Sequence, residues 1–80
     1  MILELTRGHI RMRVDDKTVT IECEGYLPGH GPPDFDVFAD SIVHWDPPNA
    51  GKEIDQATRE KILRLLQEEM AKKHLTINIQ

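Results

Sequence analysis

Apolar residues occupy every second position through the front of the chain: Leu3 and Leu5, then Ile10, Met12 and Val14, then Val19, Ile21 and Cys23. A period of two belongs to strands with one buried face. Arg7-Gly8 and Asp15-Asp16 separate the three runs and suit tight turns. Taking each pair as a two-residue turn fixes a register. Leu5 then faces Ile10, Leu3 faces Met12, Met12 faces Val19, and Ile10 faces Ile21. All these side chains share one face, and a one-residue slip would turn a whole strand's set into water. The opposite face pairs Glu4 with Arg11, Arg11 with Thr20, and His9 with Glu22. The chain to about Glu24 therefore predicts an antiparallel meander with one wet face.

The stretch from Gly25 to Pro33 is rich in glycine and proline and reads as a loop. Phe35, Val37 and Ala39 alternate with Asp34 and Asp36, which predicts a fourth strand, while Phe38 breaks the alternation and faces outward or covers an edge. Next comes Ser41-Ile42-Val43-His44-Trp45-Asp46-Pro47-Pro48. Two adjacent prolines neither continue a strand nor enter a helix interior, so this is a rigid junction with the only Trp anchored in it. Beyond it, Asp55 suits the N-cap of a helix running to about Lys73. Ile62, Leu65, Leu66 and Met70 form its apolar stripe, with Leu63 beside them. Lys72 and Lys73 suit the negative end of its dipole. Leu75, Ile77 and Ile79 alternate again and predict a final strand, inserted in the sheet or added to it. The fold expected is one α+β domain over residues 1–80. A small antiparallel sheet of four to five strands carries one long C-terminal helix on its apolar face, followed by a last strand.

Composition narrows the function. A chain of 80 residues has few residues left to wall a deep substrate cavity. Hydrophobics at 39% and charged residues at 30% fit a folded chain and not a disordered one. The net charge of -4, with ten Lys and Arg against fourteen Asp and Glu, argues against nucleic acid, whose phosphates require clustered positive charge. A basic protein is the better-matched partner. The lone Cys23 excludes an intramolecular disulfide. No basic-then-apolar leader and no membrane-length apolar run is visible, so a cytoplasmic location is expected.

No residues assemble into a reaction. His9, His30, His44 and His74 lack the short spacings of zinc ligands, and Cys23 falls on the core face. Ser41 is not in a nucleophile elbow, and the Gly25–Gly31 stretch lacks the ending of a phosphate loop. The expectation is no catalytic residue, no cofactor and no metal site, hence a non-enzyme. Trp45 has two readings. It packs over Pro47 or the helix and closes a small core, or it stands exposed as an anchor for a partner; the first is preferred. Pro47 and Pro48 suit either, because a rigid loop loses little entropy on binding. Arg59 either holds Asp46 or a nearby carbonyl, or is one of several solvated helix charges.

The order of features resembles the immunity protein 74 family of predicted bacterial immunity proteins. The residues that carry the resemblance are Leu5-Thr6-Arg7-Gly8-His9-Ile10-Arg11, then Phe35, Val37, Phe38, Ser41 and Ile42, then Trp45-Asp46-Pro47-Pro48, Ile54-Asp55, Arg59 and Ile62. They cover most of the chain; the Gly25–Pro33 loop lies outside them. The resemblance implies a member of a bacterial polymorphic toxin system that binds a cognate toxin and blocks it without catalysis. It brings no catalytic residue with it. It also favours the reading in which Arg59 fixes the junction to the helix. Trp45, Asp46, Pro47, Pro48 and Arg59 are the candidate partner-binding or junction residues. The rival expectation is a small structural or regulatory module that binds a second copy of itself or another cellular protein. The chain is then a monomer or a homodimer.

Overall fold

Alternation at period two becomes a five-stranded sheet. The structure, a computed structural model, describes residues 1–80. Its elements run β1 (Ile2–Leu5), β2 (His9–Val14), β3 (Lys17–Gly25), β4 (Phe35–Val37), a single 3-10 turn (Ala39–Ser41), α1 (Gln56–Lys72) and β5 (Ile77–Ile79). Spatial order in the sheet follows chain order. The meander takes the register expected from its turns. Leu5 faces Ile10 and Glu4 faces Arg11; His9 faces Glu22, Ile10 faces Ile21, and Met12 faces Val19. Asp15 supplies the left-handed step of the second turn at φ 57, a conformation Asp tolerates because its short carboxylate bonds locally.

Three details differ from the pattern. An irregularity between Ile2 and Glu4 sets Ile2, not Leu3, opposite Met12. One inserted residue in an edge strand reverses which side chains face inward. Leu3 is accordingly exposed, and Ile2 packs against the core. Ala39 belongs to the 3-10 turn and not to the fourth strand. Finally, β5 runs parallel to β4, with Phe35 opposite Ile77 and Val37 opposite Ile79. The sheet is therefore mixed. The long connection through α1 returns the chain in the direction it left, which a hairpin cannot do.

Helix α1 begins where its cap is found. Asp55 accepts a hydrogen bond from the Thr58 N–H at 2.8 Å, satisfying one orphan donor of the first turn. Its far end is closed by a pair of bonds, His74 N–H to the Ala71 carbonyl at 3.0 Å and Leu75 N–H to the Met70 carbonyl at 2.9 Å. His74 sits between them at φ 59, where glycine is the usual occupant. Ile62, Leu66 and Met70 form the buried face of the helix. They join Ile10, Met12, Val19, Ile21 and Val37 in one cluster. No polar or charged residue is buried. Lys61 reaches Asp15 at 3.1 Å, pinning the helix to the β2–β3 turn. Such an exposed pair contributes little beyond orientation.

Candidate functional site

The candidate junction residues have a common physical origin in an open strand edge. Strand β4 pairs with β3 only over Cys23–Gly25. The remainder of that β3 edge would present unpaired backbone groups to solvent. The chain from Phe38 to Asp46 covers it instead. Phe38 N–H donates to the Glu22 carbonyl at 3.0 Å. The Glu22 N–H donates to Ser41 Oγ at 2.9 Å, whose own hydroxyl donates to the Phe38 carbonyl at 2.7 Å. Asp46 N–H donates to the Thr18 carbonyl at 2.8 Å.

This covering segment carries Trp45 into the core. The residue is 8% exposed and clusters with Ile42, Ile54 and the sheet. Lys17 Nζ lies 5.7 Å from the indole centroid, a cation–π distance. Asp46 points the other way, and the Thr20 hydroxyl lies 3.0 Å from each of its carboxylate oxygens. Pro47 and Pro48 are exposed, in a turn closed by Asn49 N–H to the Asp46 carbonyl at 2.9 Å. Arg59 holds a carbonyl and not Asp46. Its Nε donates to the Ile42 carbonyl at 3.1 Å and its Nη1 to Gln56 Oε1 at 3.0 Å. The junction is thus tied to β3 on one side and to α1 on the other.

A second feature lies at the opposite end of the sheet, where the β1–β2 turn meets the Tyr26–Asp34 loop. A groove of about 560 Å3 opens there. Leu5, Pro28, Phe35 and Leu75 give it apolar walls, and Arg7 and Asp34 are the charged residues of its lining. Gly25 makes the arrangement possible. A Cβ at this position would lie 2.7 Å from the Phe35 ring and 3.1 Å from Arg7 Cα, so only a bare Cα lets the two approach. Alternation places Leu5 on the core face and Phe35 and Leu75 in strand-like runs, and all three pack half-buried against the core, but nothing local in the sequence shows that the core is left open at this end.

The loop beside the groove is held in place by several contacts. The Tyr26 ring stacks on His30 at 4.4 Å between centroids. Tyr26 N–H donates to the Asp34 carbonyl at 2.9 Å, and the Tyr26 hydroxyl donates to Asp36. That bond pushes the phenol up to about 12, because the nearby carboxylate penalises a phenolate. The same bond holds the Asp36 carboxyl below its ordinary value. Asp34 accepts from the Thr76 N–H at 2.8 Å and from its hydroxyl at 3.2 Å.

Elsewhere the titratable groups are spread out. Glu4 accepts a 2.6 Å bond from His9 Nε2, which lowers its carboxyl. Cys23 is a buried free thiol, and burial raises its pKa, the opposite of nucleophilic activation. No three His, Cys, Asp or Glu side chains converge as a cation cluster. No helix is long and apolar enough to cross a membrane.

Against known proteins, a family model described as immunity protein 74 matches residues 2–80. No curated protein and no solved structure matches the chain.

Proposed function

The chain belongs to the immunity protein 74 family, and from that premise we propose that it neutralises a cognate bacterial toxin by direct binding, without catalysis of its own. The family match over residues 2–80 carries this reading. The side chains support it. The one buried thiol is raised in pKa and not activated, and the perturbed carboxylates are each explained by a structural partner. A small rigid domain with a net charge of -4 suits an encounter with a basic toxin. The protein acts in the cytoplasm of the toxin-producing bacterium, as part of a polymorphic toxin system. Of the junction residues, Trp45, Asp46 and Arg59 tie the segment to the core, to Thr20 and to the Ile42 carbonyl, which leaves Pro47–Pro48 a rigid exposed turn.

Co-expression tests the proposal. The product of the adjacent gene should be toxic alone, harmless with this chain present, and recovered with it through purification. A harmless gene product, or toxicity unrelieved by this chain, ends the immunity reading. One observation favours a second reading, self-association: β5 is an edge strand whose Ile77 and Ile79 are only half-buried, a template for another strand. A concentration-dependent rise in mass would identify it.

A further inference from the structure

The groove beside Arg7 has no use in the fold. Its apolar walls Leu5, Phe35 and Leu75 pack against a core cluster that holds no buried polar residue. Its walls are set by the Gly25 approach, the Tyr26–His30 stack and the Asp34–Thr76 bonds. A concavity held from three sides loses little entropy when filled, which is what an anchor site needs. Leu27 is 62% exposed between two residues that line the groove, Tyr26 and Pro28. A small ligand in the groove would leave Leu27 in water, whereas a protein surface would cover both.

Charge defines what the anchor carries. Arg7 forms no ion pair and its guanidinium makes no hydrogen bond within the chain, although carboxylates outnumber cations here. Arg11, Arg13 and Arg64 are also unpaired, but none of them borders a concavity. Asp34 is the other charged residue of the lining, and its Oδ2 is held by the Thr76 N–H and hydroxyl and not by Arg7. An unpaired guanidinium on a residue that lines a largely apolar groove offers a planar fork for a carboxylate.

We propose that this groove docks an apolar side chain of the partner protein, with a neighbouring carboxylate of that partner received by Arg7. The inference rests on the proposed function for the partner's being a toxin; the chemistry of the groove is independent of that identity. It places the binding surface at the open end of the sheet, away from the Trp45 junction.

Two measurements separate the inference from the function it deepens. In the first, the protein is titrated with N-acetyl-phenylalanine and with its carboxamide while amide resonances are followed. Shifts should centre on Leu5, Arg7, Tyr26, Phe35 and Leu75. The carboxamide should bind roughly fivefold more weakly, for want of the charge-assisted pair, and Arg7→Gln should erase that difference. Shifts elsewhere, no shifts, or equal binding of the two probes overturn the groove chemistry, whatever the toxin result. In the second, capture of the co-expressed toxin is compared for Arg7→Glu, Leu27→Asp and the control Arg13→Glu, each checked for wild-type circular dichroism. Arg7→Glu and Leu27→Asp should each lose at least tenfold in affinity, and the control should not. Unchanged capture by both variants, with wild-type rescue intact, overturns the docking site and leaves the immunity function standing. Failure of wild-type rescue with groove shifts present does the reverse.

Discussion

Replacing Trp45 by alanine should test most directly whether the junction is a packing device. An indole side chain presents on the order of 150–250 Å2, and Trp45 keeps 8% exposure. At about 25 cal/mol per Å2 the middle of that range is worth about 5 kcal/mol. Residual compactness of the unfolded chain trims such a figure by roughly 10–40%. The expected loss is then about 3–4.5 kcal/mol, consistent with the 3–5 kcal/mol typical of core Trp or Phe truncation. An 80-residue domain at roughly 0.05–0.15 kcal/mol per residue has about 4–12 kcal/mol in all. Trp45→Ala should therefore lower the urea midpoint by about 1.5–4.5 M, measured by far-UV circular dichroism with the slope held near 1–2 kcal/mol per M. Trp45→Phe keeps much of the contact and should fall between. An unchanged midpoint in the alanine variant, accompanied by loss of toxin capture, would place the indole in an interface and refute the packing account.

Three further outcomes follow from local geometry. Tyr26 is the only tyrosine, so phenolate absorbance reports it alone. Its titration should move from the ordinary 10.0 up to about 12, and Asp36→Asn should return it toward the ordinary value. Because the folded pKa is the higher one, the associated stability is complete below pH 10.0 and is lost as pH rises toward about 12; an alkaline midpoint unaffected by Tyr26→Phe would contradict this. His74 holds a left-handed φ of 59 at the end of α1, so His74→Gly should stabilise the chain by about 1 kcal/mol and raise Tm by about 4–8 °C; a lower Tm would show that the imidazole has a partner. Ile2→Asp should destabilise by about 1–3 kcal/mol while Leu3→Asp stays within about 0.5 kcal/mol. The reverse order in urea melts would restore the unbroken register.

What could be read from the sequence divides along a physical line. The β2–β3 register, the Asp55 cap and the Ile62–Leu66–Met70 face each follow from one local rule acting over a few residues, and each stands as expected. The bulge at Ile2–Glu4 is invisible to alternation, because Ile2 and Leu3 are equally apolar and only pairing decides which turns inward. The parallel pairing of β5 is likewise a property of the crossover and not of Ile77-Asn78-Ile79 itself. The groove was least legible of all. Arg7, Phe35 and Leu75 are far apart in the chain, and Arg7 and Phe35 approach each other only because Gly25 has no side chain.

The same contrast bears on where a partner binds. The family resemblance leans on Trp45-Asp46-Pro47-Pro48, yet every backbone group that the segment uses on β3 closes an edge that would otherwise template foreign strands. Trp45 is spent in the core and Arg59 on the Ile42 carbonyl, so only Asp46 and the two prolines still face outward. Residues that a fold needs for its own closure are poorly placed to change as a toxin changes. Leu27 has no such duty: it is 62% exposed and lies in the loop outside the residues that carry the resemblance, whereas Arg7 is one of those residues. Specificity requires a surface that can vary without unfolding the domain. On that criterion the exposed Leu27 loop beside the groove is where the proposed recognition has room to differ between partners, while Arg7 supplies a contact common to the family pattern.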